Sequence, residues 1–464
     1  MMHVAQDLQS PTAQPQKLQA ILQQIVKKTG VPGISAALLH EGRVTSAAAG
    51  LRTTSTPSPM CADSRFALAS VGKFLICAVA MESIASHQLD RDVSIRAYLP
   101  ELADSEMGNN VALWHLMSHT SGCYQGADGL LDETVGFNAD WVSVVQRSIA
   151  ARRLFVPGAA FSYDTPNYVL CGEILRRLHG AAPRDLIRTR ILDPLGIDWG
   201  RTDFDMEKPG RYVEGHIPTA NGAFEPTPPA VVSELWESAS SSLTLSMPDF
   251  VAIAASIMGA PITTGAILSA AARRMLLTQV VDLPIAPEWP IRDCALTSYG
   301  FGCAAHRNGL LGHPGEASGQ CCALHFDPVQ KIAVAVGVNA RAFHVREAAL
   351  TMLMRLMGYS SENAASKRVT FAQSELLGDY VGGAMGRVLQ VRAQGPQLIC
   401  QSATHGTTEN GGSQRNFPVA RFHMTDEGYA VLDEQSRRIP LCFFREPGGT
   451  VPCLIAGAVS YRQI

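Results

Sequence analysis

Phe66-Ala67-Leu68-Ala69-Ser70-Val71-Gly72-Lys73 decides how the rest of the chain is read. An apolar run leads into S-x-x-K, and Phe74, Leu75, Ala78, Met81, Ile84 and Ala85 then recur at helical spacing as far as Ser86. Residues three apart share a helix face, so Ser70 and Lys73 are neighbours where a loop enters an apolar helix. A serine hydroxyl attacks only when a base takes its proton. Lysine can be that base where burial or a nearby cation lowers its pKa, whereas arginine cannot deprotonate. Of the 38 basic residues only seven are lysines (Lys17, Lys27, Lys28, Lys73, Lys208, Lys331 and Lys367), so a lysine at this place asks for a reason. The helix start adds backbone N–H groups aimed at developing negative charge.

Outward from that segment, 464 residues with 46% hydrophobic and 17% charged side chains can bury a large core and imply two or three domains. The formal net charge of −3 leaves no basic footprint for nucleic acid or an anionic membrane. No apolar stretch reaches the ~20 residues of a membrane helix. The polar segment Met1 to Gln16 lacks the basic start and apolar run of a secretory signal. Eleven cysteines, an odd number without a C-x-x-C pair, point to reduced thiols in a cytoplasm. Cys321-Cys322 reads as two strand residues facing opposite ways.

Gln16 to Lys28 reads as an amphipathic helix, and Ile34–Leu39 with Arg43–Ala48 as a hairpin about His40-Glu41-Gly42. Leu89 to Pro290 reads mainly as helices and loops, and the stretch Ser238 to Ser242 as a loop or helix start. Strands return at Leu310–Gly312, Cys321–Phe326 and Lys331–Val338, before a helix from Phe343 to Met357. This order predicts an α+β fold: an antiparallel sheet flanked by terminal helices, with an all-helical insert. The small, polar stretch Tyr359 to Arg368 reads as a linker. Six short runs beyond it, from Val388–Ala393 to Val451–Ala456, predict a small antiparallel β-barrel. The expected domains are 1–360, a linker at 361–370, and 371–464.

Several ordered motifs carry a resemblance. The Phe66–Lys73 segment, Leu89-Asp90, Tyr98-Leu99-Pro100, His115-Leu116-Met117-Ser118-His119-Thr120-Ser121-Gly122, Pro157-Gly158, Phe161-Ser162-Tyr163 and Asn167 to Gly172 stand in sequence. Pro194-Leu195-Gly196-Ile197, Tyr299-Gly300-Phe301-Gly302 and Gly312-His313-Pro314-Gly315 follow. Together, over roughly Val31 to Met357, they resemble the serine β-lactamase-like and penicillin-binding-protein-like family, particularly its class C-type esterases, D-peptidases and transacylases. The C-terminal texture is similar to the lipocalin-like domains appended to some family peptidases and thioesterases.

The resemblance implies Ser70 as the acylated nucleophile, Lys73 as its proton acceptor, and Tyr163, as a phenolate, as general base and later acid. His313 would replace the lysine of K-T-G and hydrogen-bond the tyrosine. The backbone N–H groups of Ser70 and of Glu316, the residue after Gly315, would form the oxyanion hole. Thr165 occupies the asparagine position of Y-x-N, Asn167 is a nearby substitute, and Tyr124 (with Gln125) is placed to line the cleft. Pro314 and Glu316 stand where β-lactam-recognising members use hydroxyl residues, and a Glu316 side chain in the cleft would repel a substrate carboxylate. No cofactor is expected. His115 and His119 have zinc spacing, but lack the glutamate of H-E-x-x-H and a third ligand, so no metal is expected.

The function expected is a cytoplasmic serine hydrolase or transacylase acting on an ester, thioester or amide of a small molecule or peptide, free or carrier-bound. The family's thioesterases and cyclases of natural-product biosynthesis fall in this class. The alternatives are a catalytically silent binding or scaffold protein, and a true β-lactamase or D,D-peptidase. Nucleic-acid and membrane partners are not expected, and the sequence leaves oligomeric state open.

Overall fold

The computed structural model of the chain describes residues 13–124, 140–201, 211–229, 232–239, 241–261, 265–283, 296–306, 309–358, 373–382, 387–394, 397–404, 420–424, 429–432, 440–445, 452–456 and 459–463. The proposed linker and Gln125 lie outside them.

The main sheet has nine described strands, all antiparallel, in the order Gln279–Asp282, Leu296–Gly300, Ala304–His306, Leu311–Ala317, Gln320–Asp327, Ile332–Val338, Gly33–His40, Arg43–Thr53 and Ser58–Pro59. Ends distant in sequence meet here, with Ile34 opposite Val338. Ile332–Val338 is buried along its whole length, as a valine- and alanine-rich strand covered on both faces must be. The expected hairpin pairs His40 with Arg43 through Glu41 and Gly42, whose φ values of 50° and 70° match a two-residue turn with both central residues left-handed.

Helices Ala13–Thr29 and Phe343–Leu356 cover one face of the sheet, closing a core of Leu18, Leu22, Val334, Val336, Ala349 and Leu353. On the other face the larger core gathers the helices Gly72–Ala85, Pro166–His179 and Met247–Met258. Strand Gln320–Asp327 shows the division: Cys322, Leu324 and Phe326 enter the larger core, while Ala323 enters the terminal-helix core.

Two expectations are corrected. The expected all-helical insert holds strands: Gly215–Pro218 pairs with Phe224–Thr227, and the serine-rich stretch contributes a fully buried strand, Ser241–Ser246, paired with Arg65–Ala69 and with Gly200–Arg201. Burial of its alternating Leu243 and Leu245 outweighs the loop signal of its serines. The strand expected to stop at Gly312 runs from Leu311 to Ala317, through His313-Pro314-Gly315. Proline is tolerated where a ladder ends on one side, and Ala304–His306 pairs with this strand only at Leu311 and Gly312.

Beyond residue 372, eight strands pair in chain order: Gly378–Gly382, Arg387–Gln394, Gln397–Thr404, Ala420–Met424, Tyr429–Leu432, Pro440–Arg445, Pro452–Ala456 and Val459–Gln463. The last returns to the first, with Gly382 opposite Tyr461. The first and last were not foreseen, because Gly-rich and short polar segments carry little strand signal.

Candidate active site

Strand Arg65–Ala69 delivers Ser70 through a left-handed residue, Ala69 at φ 47°, and the helix starts at Gly72. A Cβ-bearing residue costs about 1–2 kcal/mol in that conformation, so the surrounding packing must hold it there. Gly315 supplies part of that packing. A Cβ on it would stand 2.7 Å from the Leu68 carbonyl oxygen and 3.2 Å from the Ala69 Cβ, so only glycine lets the two strands approach this closely.

Lys73 is fully buried, and its Nζ lies 3.1 Å from the Ser70 Oγ. It also donates to the Ala239 carbonyl. Burial lowers its pKa from 10.5 to about 7, with the charge of nearby Asp164 opposing the shift. Near neutrality a large fraction is therefore uncharged amine, able to accept the Ser70 proton.

Tyr163 keeps part of its surface open, hydrogen-bonds the Ser70 and Thr165 side chains, and has its ring centre 5.2 Å from Lys73 Nζ. Burial drives its pKa up, against those two hydrogen bonds. The expected phenolate is therefore corrected. It relied on an ammonium partner, and Lys73 is itself pushed towards the neutral form. Tyr163 is a neutral phenol, a proton donor.

His313 is buried on the cleft side, its ring centre 6.1 Å from that of Tyr163. Its Nδ1 donates to the Pro314 carbonyl at 2.5 Å, which leaves Nε2 as the accepting nitrogen. Burial, with Lys73 close by, lowers its pKa to about 3, so it brings no positive charge in place of the K-T-G lysine.

Register decides where Glu316 points. Gly315 opposes Cys322 and Glu316 opposes Cys321, so the glutamate leaves the strand on the terminal-helix face, opposite to Gly315. There it pairs with Arg341. The expected repulsion of a substrate carboxylate is corrected on both counts: the side chain turns away from Ser70, and its charge is compensated. Asn167 is fully buried, donates to the Ser121 hydroxyl at 3.2 Å, and belongs to the support of the site. Thr165 touches the tyrosine itself. Tyr124 pairs with Arg152 in a two-residue ladder, and its side chain lies outside the description.

His115 and His119 each use Nδ1 to accept a backbone N–H, from Ala112 at 2.9 Å and Asp164 at 3.1 Å. Both are framework histidines. Asp164, buried beside Lys73, and the Ala239 carbonyl were missed by reading the sequence. The middle position of Tyr163-Asp164-Thr165 was the one available signal for Asp164, and no local pattern marks a carbonyl 166 residues from its partner.

A family model described as beta-lactamase matches residues 18–358. Penicillin-binding protein 4 of Amycolatopsis lactamdurans is 27% identical over 200 residues, covering 43% of this chain and 52% of that protein. Esterase EstB of Burkholderia gladioli is 27% identical over 228 residues, covering 45% and 56%. The chain thus spans about half the length of these two relatives. Among solved structures, the crystal structure of SurE superposes with a TM-score of 0.74 at 22% identity, covering 98% of this chain and 100% of that one, a likeness of fold.

Proposed function

The chain belongs to the beta-lactamase family, and on that footing we propose that it is a serine hydrolase working through an acyl-enzyme at Ser70. The observation that carries the proposal is a buried Lys73, with a pKa of about 7, at 3.1 Å from the Ser70 Oγ. Neutral Lys73 takes the Oγ proton as Oγ bonds to the acyl carbon. The backbone N–H groups of Ser70 and Glu316 take the oxyanion. As the intermediate collapses, the bond to the leaving group breaks and Tyr163 gives that group its phenolic proton. The Lys73 ammonium then reprotonates Tyr163. Water, or an amine or alcohol in a transfer reaction, reverses these proton movements, breaks the ester to Ser70 and returns the proton to Oγ.

The substrate class follows from the charges around the cleft. On the cleft face of the described Leu311–Ala317 strand stand neutral His313 and Gly315, so this strand offers a substrate carboxylate no cation. Neutral or amine-bearing esters, thioesters and amides fit this surface better than penicillins or D-alanyl peptides. The residue 378–463 ring of strands fits a lipocalin-like barrel forming a second domain from about residue 371. A reducing, cytoplasmic setting is supported by the free state of seven cysteines: Cys61, Cys77, Cys123, Cys171, Cys303, Cys321 and Cys322.

The test is covalent labelling. An activated ester or a fluorophosphonate should add its mass to the Ser70 peptide, and Ser70→Ala should abolish both labelling and turnover. Modification of another residue would overturn the mechanism, and no labelling of the intact protein would return the chain to a silent scaffold.

A further inference from the structure

We propose that His119 is the positioning residue of Tyr163, a clamp that keeps the phenol on Ser70. This rests on the acyl-enzyme reading. His119 grips the chain on both sides of the tyrosine: its carbonyl accepts the N–H of Ser162 at 2.8 Å, and its Nδ1 accepts the N–H of Asp164 at 3.1 Å. Its ring lies against Tyr163 itself, with centroids 4.2 Å apart and planes inclined by 34°. One residue thus fixes both neighbours of the phenol and its aromatic face: its main chain holds Ser162, and its side chain holds Asp164 and the Tyr163 ring.

The imidazole is fully buried. Phe161, Tyr168 and Tyr299 surround the imidazole with ring centroids at 5.8, 5.0 and 5.4 Å. Its backbone sits at φ 56°, a conformation that L residues avoid and that must be held by its surroundings. Burial, with Lys73 and His313 nearby, keeps the ring neutral, so Nδ1 remains an acceptor. A histidine that merely filled a core would not need its Nδ1 to accept from the residue that follows the phenol while its ring lies on the phenol itself.

Tyr163 serves both acylation and deacylation, and kcat/KM, which reports acylation alone, isolates its role as the acid. Tyr163 protonates the leaving group, and a good leaving group needs no proton. Acetate esters of p-nitrophenol and of a simple alcohol share an acyl group and differ in that need. His119→Ala should cut kcat/KM for the alkyl ester by on the order of 100-fold, the scale of lost general acid catalysis, and for the nitrophenyl ester by less than about fivefold. Asparagine adopts left-handed backbone readily, and its amide oxygen can accept from Asp164. His119→Asn should therefore regain about tenfold of the alkyl-ester loss, and it serves if the alanine variant fails to fold. Fluorophosphonate labelling of Ser70 checks that each variant still presents its nucleophile. Equal falls for both esters in a variant that still labels would overturn the clamp and leave the acyl-enzyme standing. A wild-type protein that does not label at Ser70 would sink the acyl-enzyme reading, and the clamp with it.

Discussion

The two walls of the cleft around Ser70 treat charge in opposite ways. The helical wall buries its ionisable groups beside Ser70 and lets desolvation set their protonation: Lys73 falls to about 7, the Tyr163 phenol rises, and His119 stays neutral. The sheet wall, Leu311–Ala317, turns its charge outward. Glu316 pairs with Arg341 on the far face, with side chains 26% and 36% exposed, and the uncharged His313 and Gly315 stand on the face towards Ser70. The proposed proton chemistry belongs to the dry wall, and the other wall is kept electrically quiet. Substitutions on the first should then change rates by orders of magnitude, and the charge on the second should hardly matter.

The severest trial of that contrast is Lys73→Arg. It keeps the positive charge and loses the basicity, because a guanidinium does not deprotonate near neutrality. Loss of the base should lower kcat/KM by at least about 10³-fold, measured on any ester the wild type turns over. A loss below tenfold would mean that charge, and not proton acceptance, is what the buried lysine provides. The pH profile gives the same trial in the intact protein. Lys73 acts only when unprotonated, so activity should rise with pH through an inflection near 7.

A gentler trial uses Asp164, whose charge opposes the downward shift of Lys73. Removing a negative charge destabilises the ammonium form, so the lysine pKa should fall further. Asp164→Asn should move the acidic limb of the kcat/KM profile to lower pH, while its backbone N–H still reaches His119. A limb that stays in place, or moves up, would assign the inflection to another group.

Much of the helical wall was legible in the sequence because helical spacing is local. Ser70 and Lys73 stand three residues apart, and Phe74 to Ala85 repeat at helical period, so their adjacency needed no tertiary information. Protonation states needed it. The phenolate expected for Tyr163 failed because burial of Lys73, set by Ala239 and the helices around it, is invisible in a linear pattern. His119 stood out as part of the His115–Gly122 motif and as half of a metal-like pair, but not as a partner of Tyr163, since its partners lie over 40 residues away, as Asp164 does. The sheet wall was misread for a local reason. His313-Pro314-Gly315 looks like the end of a strand, and a strand taken to stop at Gly312 gives no phase for Glu316. Once the strand continues to Ala317, period-two alternation alone turns the glutamate away from Ser70.

That alternation sets the smallest expected effect. Glu316→Ser removes a carboxylate whose loss would help a penicillin carboxylate bind if the side chain faced the cleft. In the structure the carboxylate belongs to a partly exposed ion pair, and such pairs are worth about 0–1 kcal/mol. Each 1.36 kcal/mol is tenfold in rate, and this charge faces the far side of the sheet, so little of its energy can reach the transition state. Both ester turnover and the rate of acylation by a penicillin should therefore change by less than about threefold. Arg341→Ala, which removes the other half of the pair, should do the same. The measurement is the stopped-flow acylation rate of each variant against wild type. If Glu316→Ser alone raised penicillin acylation tenfold or more, the charge would be felt at Ser70, and the sheet wall would be selecting against anionic substrates.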